Sequence, residues 1–576
     1  MTGALATVGA VMLLLYGALV VSLPGLSEAR SVPIQKAVDI RDDFGAAHVA
    51  SSVAFLAVII ALFVAYALAL RATRRIGMRH AARPILAFTA AYQLLAVVSP
   101  TMLSTDVYSY LMYGRILAVH GANPYLDAPD RFASDPYYGL LFWTTYTSFY
   151  GPLWTLLSAG VSRVVGEDAT LAALAFRGLA GTCAVASTGL VWLTLRRLRP
   201  NDAARGAVAF GWNPLLFIEC GLSGHNDALL VAGVAAALLL LVRGRATSAA
   251  ASLLGAACVK VLALPMLPLL LAHAWRADRA RLAFVMRTGL LLSALLVVLV
   301  FPVWGGPQTL STLLLGGAGD RYTNSLGELA LTELRVAFGE SREDTEVPLL
   351  FSPWWIATTR PAPLRAERGD NAPSLVEIPR GQALLVVAPQ YGRWARVFHP
   401  TTHQTGFIRT NATERQAVAP DRGSLDAETL ARERGPTGSP ALAGANAIVR
   451  GVGWGTFFLV WGWVLLRCTA RVEHLVRGLV ILMVVTYYLT LTWFHPWHLL
   501  AGLLLAALSP LTPAAIAMFS LTASATLIYP ALGFLPGSAE PRLEWLFTYR
   551  ALAVFGLPVL VLGGWMIGRR ANHEPA

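Results

Sequence analysis

The stretch LATVGAVMLLLYGALVVSL, from Leu5 to Leu23, is an almost unbroken apolar sequence near the start of the chain. A helix needs roughly 20 such residues to cross the hydrocarbon core of a bilayer. Similar runs recur as far as Ile567 and predict about fourteen transmembrane helices. The first run has no basic segment before it and no small-residue cleavage site after it. We therefore interpret it as a retained helix and not as a signal peptide.

The composition agrees with a membrane protein. Apolar residues make up 56% of the 576 residues and charged residues 14%, which is too apolar for a soluble chain of this length. The net charge of +12 is explained by basic cytoplasmic loops, and no nucleic-acid motif accompanies it, so we expect no nucleic-acid partner. The four cysteines lie in apolar segments without pairing or metal spacing, so no disulfide framework is predicted.

Arginine-rich loops predict the orientation in the membrane, because short loops of this kind stay in the cytoplasm. The clearest examples are 71–83, 196–205, 276–287 and 467–477. Both termini are then cytoplasmic. The segments expected to face outward are 106–150, 221–227, 305–446 and 495–498.

Two apolar segments do not fit a simple series of spans. Counting 151–165 as a span would place the following arginines outside, so we interpret it as an interfacial helix. The run 246–274 is longer than one span and carries Lys260 near its middle, with Pro265 and Pro268 beyond. A lysine at the bilayer centre costs roughly 2.5 to 3.5 kcal/mol, so two short helices meeting at Lys260, near the outer interface, are the cheaper arrangement.

A water-exposed insert interrupts the apolar sequence from about Ser352 to Pro440, where Pro, Arg, Asp and Glu predominate. Short β-type runs are predicted at 375–378, 383–387, 394–398 and 406–409. The string, with its PRG turn, YGRWARV strand and TGFIR strand, resembles a bacterial SH3-like barrel. Such domains bind peptides or cell-wall material, and a spacer without a ligand is the alternative. The predicted division is a membrane domain over 1–351 and 446–576, an SH3-like extracytoplasmic insert over 352–415, and a flexible linker over 416–445.

The first candidate site lies in STDVYSYLMYGRILAVHGANPY, directly after an apolar run. If this segment is helical, Asp106, Tyr110, Tyr113 and His120 share one face and Arg115 points away. A carboxylate held at a dry, outward membrane surface could accept a proton from a hydroxyl group. The alternative is an ordinary interfacial helix with a belt of tyrosines.

The second candidate site is the outward turn in GWNPLLFIECGLSGHNDALL, which places Glu219, His225, Asn226 and Asp227 between two apolar helices. Ionisable groups at a membrane edge are costly and more often functional than decorative. Asn226 or Asp227 could instead cap the helix that follows. The His and Asp side chains could also bind a divalent cation, although their spacing is not specific for any metal.

The third candidate site is TWFHPWHLL, where His495, Trp497 and His498 occupy another outward turn. Histidine and tryptophan are also ordinary interface anchors. Lys260 and Arg177 add positive charge on the same face, which suits a phosphate at headgroup depth.

In this order, these strings resemble polyprenol-phosphate-sugar-dependent glycosyltransferases of the GT-C fold, particularly bacterial mannosyltransferases and the relatives in glycosyltransferase family 87. The resemblance rests on TDVYSYLMYGRILAVHGANPY from Thr105, YGPLW from Tyr150, NPLLFIECGLSGHNDALL from Asn213, CVK from Cys258 and HPW from His495. It spans most of the membrane domain. The SH3-like insert departs from the family pattern and leaves the acceptor and partner open.

The resemblance implies a multi-pass enzyme of the cell membrane that works on the extracytoplasmic face. It would transfer a sugar, mannose being the family expectation, from a polyprenyl-phosphate donor to a glycan or lipid-linked acceptor with inversion. Asp106 would be the catalytic base, and Lys260, Arg115 or a bound divalent cation would stabilise the leaving phosphate. The substrate-binding residues would be Tyr110, Tyr113, Arg115, His120, Glu219, His225, Asn226, Asp227, Lys260, His495, Trp497 and His498.

Two other functions are compatible with the sequence. A transporter or flippase of lipid-linked sugars would use broken helices and buried charges at the membrane midplane. Most polar groups here are expected at the outer edge, and no Walker A motif is present. A membrane-anchored cell-wall-binding protein would use the SH3-like insert alone, and would leave the polar outward turns unexplained.

Overall fold

The computed structural model describes most of the chain as helices, with one small sheet. The described residues are 2–22, 46–73, 78–100, 102–141, 144–315, 322–345, 354–367, 369–387, 394–415, 426, 429, 439–529 and 550–571. The α-helices of nine residues or more are α1 Thr2–Ser22, α2 Ala46–Ala72, α3 Met78–Val98, α4 Asp106–Ala118, α5 Pro152–Val165, α6 Ala169–Leu198, α7 Ala203–Gly211, α8 Asp227–Val242, α9 Ala246–Ala257, α10 Met266–Ala277, α11 Arg281–Val300, α12 Pro307–Leu315, α13 Leu326–Ala337, α14 Pro440–Arg467, α15 Val472–Val485, α16 Leu499–Leu508, α17 Pro513–Ala525 and α18 Arg550–Ala571.

Eight helices in the described residues are long and apolar enough to cross a membrane, and a bent pair makes a ninth. They present large apolar side chains at the surface, such as Leu14, Leu290 and Leu459, each about three-quarters exposed. Apolar surface on this scale belongs against lipid. The prediction of a polytopic membrane protein is confirmed. The expected count of about fourteen spans is too high for the described residues, because several apolar runs fold as helices of only 10–17 residues.

Both segments that did not fit a simple series of spans fold as expected. The predicted interfacial segment is α5, a 14-residue helix that is too short to span a bilayer. The run with a lysine at its centre breaks after α9, and Lys260 has extended backbone, with φ −154° and ψ 133°. A short 3₁₀ turn and then α10 follow.

The bent pair consists of Pro214–Leu222 and α8, which meet at 118°. Within the first arm, Phe217–Leu222 is π-helical, a distortion often found at functional sites. The bend passes through Gly224, whose φ of +73° suits glycine. A Cβ atom at Gly224 would lie 2.9 Å from Val107 on α4, so the turn can approach α4 closely only without a side chain.

The insert contains a seven-stranded antiparallel sheet. Its strands are β1 Trp354–Thr358, β2 Ala362–Arg365, β3 Ser374–Ile378, β4 Ala383–Val386, β5 Trp394–His399, β6 Gln404–Arg409 and β7 Thr413–Arg415, in the order β3-β2-β6-β5-β4-β1-β7. One face buries Leu364, Ile378, Leu384, Val397 and Ile408 completely. The small all-β insert is therefore confirmed, with four strands where they were predicted and β1, β2 and β7 in addition. The likeness to an SH3 barrel stays a prediction.

The predicted linker 416–445 lies almost wholly outside the described residues, apart from 426, 429 and its last part. That last part is not linker, because α14 begins at Pro440, six residues before the predicted boundary. Ser439 accepts a hydrogen bond from the backbone N–H of Leu442 and caps the helix. The sequence has Ser followed by Pro here, a combination typical of a helix start that the linker composition obscured.

A short strap connects the segment before the insert to the third candidate site. Thr323 and Trp493 form a parallel β-bridge, in which the Thr323 N–H donates to Thr492 and the Phe494 N–H donates back to Thr323, each at 2.9 Å. The Ser325 hydroxyl adds a bond to the Thr492 carbonyl at 2.6 Å. The backbone that enters the HPW turn is thereby fixed.

Candidate active site

His225 lies at the centre of the site and joins residues from all three predicted clusters. Its Nδ1 atom is 3.0 Å from Oε2 of Glu219, and its Nε2 atom is 3.9 Å from Oδ2 of Asp106. Its ring stacks on Trp497 with centroids 4.2 Å apart. The side chain of His225 is fully buried, whereas that of Asp106 remains 21% exposed. The predicted residues Asp106, Glu219, His225 and Trp497 are therefore brought together.

Glu219 is oriented by the π-helical turn and by a residue that the sequence did not single out. It is completely buried, and its Oε1 atom accepts a hydrogen bond of 2.5 Å from the Tyr529 hydroxyl. Tyr529 follows α17 in an apolar run, where a tyrosine looks like an ordinary interface residue. No local pattern distinguished it, because its partner lies 310 positions away in the chain.

Asp227 and Lys260 form an ion pair across the break after α9. The Lys260 Nζ atom is 2.7 Å from Oδ2 of Asp227, and their side chains are 16% and 2% exposed. Asp227 is the first residue of α8, where a carboxylate is favoured by the helix dipole. The sequence placed both residues on the outward side but did not predict the pairing.

The turn before α8 presents buried polar atoms that lack partners in the described structure. Neither atom of the Asn226 side-chain amide has a hydrogen-bond partner, and the same holds for the Ser223 hydroxyl and for Nε2 of His225. These three residues are at most 1% exposed. Buried polar groups are normally paired, so this cluster is typical of a site that receives a polar ligand. Ser223 was not predicted, because a serine beside glycine reads as a turn residue.

Tyr110 supports the same turn from α4. Its hydroxyl accepts a hydrogen bond from the Asn226 backbone N–H at 3.4 Å. Its ring packs edge-on against Tyr150 and Trp154, at centroid distances of 4.8 and 5.0 Å. Tyr113 packs against Tyr150 as well, and its hydroxyl donates to a backbone carbonyl at 2.8 Å. These aromatic contacts place both predicted tyrosines in the wall that supports the site.

The YGPLW and CVK strings contact each other directly. The Gly151 N–H donates to the Val259 carbonyl, and the Leu153 N–H donates to the Cys258 carbonyl, both at 2.9 Å. A Cβ atom at Gly151 would collide with the Cys258 carbonyl, so glycine is required here. This pairing links the start of α5 to the break that carries Lys260.

The HPW turn forms another wall. His495 stacks on Trp497 with the rings nearly parallel and 4.2 Å apart. Nδ1 of His498 accepts a hydrogen bond of 3.2 Å from the His495 backbone N–H, and the Tyr487 hydroxyl donates to the His498 carbonyl at 2.6 Å. His498 thus holds the turn together, and Trp497 is the ring that connects the turn with His225.

Arg115 and His120 take part in a different cluster. The Arg115 Nε atom and the His120 Nε2 atom lie 2.9 and 2.7 Å from Oδ2 of Asp135, whose side chain is fully buried. Burial alone would raise the pKa of Asp135, but hydrogen bonds from the Tyr137 backbone, His120 and Arg115 lower it below its ordinary value. The expectation that His120 shares the face of Asp106 is not met, because the side chains of His120 and Arg115 both contact the Asp135 carboxylate. Their predicted substrate roles stay untested.

The Arg177 guanidinium group forms hydrogen bonds with backbone carbonyl groups. Its guanidinium donates to the carbonyls of Gly221 and Ser99 at 3.0 and 2.9 Å, and also to that of Ala96. It is 4% exposed. Arg177 therefore fixes the π-helical turn, which differs from the phosphate contact that its charge suggested.

Among the described residues, the candidate site does not form a ready metal site. Within the described part of the chain, no three His, Cys, Asp or Glu side chains lie together in a way that could hold a metal ion. A divalent cation stays a prediction, and no chemical step is derived from one. All four cysteines are buried and free.

This fold and this arrangement agree with comparisons to known proteins. Residues 4–276 match the family model for the N-terminal domain of alpha-(1->6)-mannopyranosyltransferases. The matched region contains Asp106, the bent pair and Lys260. The predicted resemblance to bacterial mannosyltransferases is thus confirmed over this part of the chain.

Individual relatives give the same result. The chain is 32% identical to alpha-(1->6)-mannopyranosyltransferase A of Corynebacterium glutamicum over 180 residues, which is 30% of this chain and 35% of that protein. It is 29% identical to alpha-(1->6)-mannopyranosyltransferase A of Mycobacterium tuberculosis over 214 residues, which is 36% and 40%. A probable alpha-(1->6)-mannopyranosyltransferase of Mycolicibacterium smegmatis is 32% identical over 157 residues, 26% and 27%. The matches span 27–40% of the relatives' own length, so what the whole chain does is a proposal.

Proposed function

We propose that this chain is a membrane mannosyltransferase that uses a polyprenyl-phosphate mannose donor. The acceptor would be a glycan or a lipid-linked glycan on the extracytoplasmic face, and the anomeric configuration would invert. The names of the relatives support the sugar, and the arginine-rich loops at the opposite ends of the helices support the face.

The proposal rests mainly on the solvent exposure of the Asp106 side chain. Three carboxylates meet at the site, those of Asp106, Glu219 and Asp227, and the side chains of Glu219 and Asp227 are only 0% and 2% exposed. Asp106 alone of the three keeps a substantial exposed fraction, 21% of its side chain. A general base must reach its substrate, so Asp106 is the carboxylate suited to this role.

In the proposed reaction, Asp106 accepts the proton of the acceptor hydroxyl group. The acceptor oxygen forms a bond to the anomeric carbon from the face opposite the donor phosphate. The bond between the anomeric carbon and the phosphate oxygen breaks, and the phosphate leaves with the electron pair on its lipid. Attack and departure on opposite faces invert the configuration in one step, without a covalent enzyme intermediate.

Two neighbours of the base have roles that follow from their contacts. The Lys260 ammonium group donates one hydrogen bond to Asp227 and has two more N–H donors. It can therefore stabilise the charge on the leaving phosphate. Asn226 offers an unpaired amide donor and acceptor, which suit hydroxyl groups of the sugar. Nδ1 of His225 lies 3.0 Å from Oε2 of Glu219, and its Nε2 atom lies 3.9 Å from Oδ2 of Asp106, so the ring is placed to position the base.

The test is transfer of radiolabelled mannose from a polyprenyl-phosphate donor in proteoliposomes that contain the full chain. Replacing the base, Asp106→Asn, should lower turnover by about 10²–10⁴-fold while leaving the folded fraction unchanged. Asp202→Asn is a matched control, since this carboxylate is half-exposed at the arginine-rich end of the helices. Its turnover should equal that of the parent.

Two results would contradict the proposal. Full activity in a folded Asp106→Asn protein would remove Asp106 as the base. Label that crosses the bilayer without changing its covalent partner would identify a transporter of lipid-linked sugars instead.

A further inference from the structure

A cavity of about 210 Å³ lies at the arginine-rich end of the helices, away from the candidate active site. It is formed where α7, α16 and α17 meet the end of α2. Its walls include apolar side chains, such as Leu70 and Phe519, and polar ones, such as Arg205, Ser509 and Ser520. None of these residues has a role in the proposed reaction.

The walls of the cavity are fixed by close packing. Gly206 lets α7 approach α16, because a Cβ atom at this position would lie 2.9 Å from the Ala507 carbonyl and would collide with Leu195. At the end of α16, the Arg199 guanidinium donates to the Leu508 carbonyl at 2.7 Å. The cavity is therefore a built feature of the helix junction.

Two polar groups in the cavity have no partner among the described residues. The Arg205 side chain makes no hydrogen bond or ion pair with the described part of the chain, and the buried hydroxyl of Ser509, a residue 8% exposed, has none there either. Asp202 also lines the cavity, but its carboxylate lies 3.3 Å from the Arg199 guanidinium. The lining thus offers a cation and a hydroxyl donor beside an apolar wall, both unpaired within the described part of the chain.

The position of the cavity indicates what could occupy it. Arg205 belongs to the basic segment 196–205, and Leu70 immediately precedes the basic segment 71–83, both of which the positive-inside rule places in the cytoplasm. A cavity at this depth meets lipid headgroups, and basic pockets between helices on this side bind anionic ones. A ligand that fits must combine a negative charge with an apolar chain.

We propose that this cavity binds the phosphate of an anionic phospholipid from the cytoplasmic leaflet. Arg205 pairs with the phosphate, Ser509 donates a hydrogen bond to it, and an acyl chain lies along Phe519. The site is separate from the sugar-transfer site, so it stands or falls independently of the proposed reaction.

The experiment is native mass spectrometry of the full chain, incubated with phosphatidylglycerol or with phosphatidylcholine. Arg205→Gln should weaken phosphatidylglycerol binding about fivefold, and Arg205→Lys should retain most of it. Arg243→Gln is the matched control, because Arg243 is an exposed arginine in the α8–α9 turn, also predicted to be cytoplasmic. It should bind as the parent does. Ser520→Phe, which fills the cavity without removing a charge, should weaken binding as well.

The proposal is overturned if Arg205→Gln loses no more lipid than Arg243→Gln, since the contact would then be unspecific. Equal retention of phosphatidylcholine would show that the site does not discriminate by headgroup charge. A third arm adds inorganic phosphate. Displacement of phosphatidylglycerol by inorganic phosphate at equal concentration would identify a site for free phosphate and not for a lipid.

Discussion

Two clusters of charged and polar side chains lie at opposite ends of α4, one around Asp135 and one around Asp106. They contain similar residue types but differ in how completely their polar atoms are paired within the described structure. Asp135 is surrounded by Arg115 and His120, and every one of these groups has a partner. Asp106 faces His225, and beside it buried polar atoms of Ser223, His225 and Asn226 lack hydrogen-bond partners in the described structure. One cluster is complete without a ligand and the other is not.

The difference shows that the presence of Asp, His and a cation does not by itself mark a catalytic site. A buried polar group without a partner costs free energy, about 1–3 kcal/mol each, and persists where a ligand supplies the missing bond. Completeness therefore separates the structural cluster at Asp135 from the candidate site at Asp106. Substitutions in each cluster should therefore affect different properties of the protein.

The largest expected effect is on the stability of the protein and concerns the cluster around Asp135. Asp135→Ala leaves the buried Arg115 charge without its partner and should lower the free energy of unfolding by about 3–5 kcal/mol. Turnover per folded molecule should stay that of the parent. Denaturant titration and the transfer assay, done on the same preparation, measure the two quantities. Loss of turnover in a fully folded Asp135→Ala protein would contradict the structural role.

Replacing Lys260 should affect both stability and sugar transfer. Lys260 forms an ion pair with Asp227, and in the proposed reaction it stabilises the leaving phosphate. Lys260→Met leaves the buried Asp227 carboxylate unpaired and should destabilise the protein by about 3 kcal/mol. The double variant with Asp227→Leu should recover stability, since replacing both partners removes the unpaired charge. It should not recover sugar transfer. Recovery of transfer in the double variant would show that Lys260 acts only through Asp227.

Asn226 should affect activity alone. Asn226→Ala removes unpaired amide atoms, so stability should be unchanged or higher, while the loss of a hydrogen bond to the sugar slows transfer about tenfold. Asn213 is the matched control, because its amide donates to Thr522 and accepts from the Leu215 N–H, both at 3.0 Å. Asn213→Ala should cost about 1 kcal/mol of stability and little activity. The reverse pattern would refute the comparison.

The smallest expected effect concerns pH. The pKa of Asp135 is lowered in the folded protein, so its ion pairs contribute stability above the ordinary carboxyl pKa of about 4, and this contribution is lost as the pH falls through the lowered value. The stability difference between the parent and Asp135→Asn should thus be constant near neutral pH and shrink below about pH 4. Unfolding midpoints across this range measure it. A difference independent of pH would contradict the pairing.

The sequence predicted those features that depend on local pattern. Apolar runs predicted the membrane helices, and parity of the basic loops predicted that α5 does not span. The cost of a buried lysine predicted the break at Lys260. Outward turns predicted the residues that meet at His225. Each of these inferences rests on a property that a short window of residues carries.

Other features could not be predicted from any short segment of the sequence. The partner of Glu219 is Tyr529, and that of Arg115 is Asp135, a residue in the loop after α4 that no pattern marked. The face of His120 was assigned wrongly, because α4 ends at Ala118 and the chain beyond it no longer follows helical spacing. A helical projection cannot be extended past the last helical residue.

The sequence by itself determined that this protein lies in a membrane, which ends of its helices carry the arginines, and which residue types gather at the opposite ends. These properties follow from the transfer of side chains and charges between water and lipid, which each segment undergoes on its own. Only the tertiary structure decided which of those groups find partners and which are left unpaired. Pairing depends on distances of about 3 Å between residues far apart in the chain, and packing alone sets such distances.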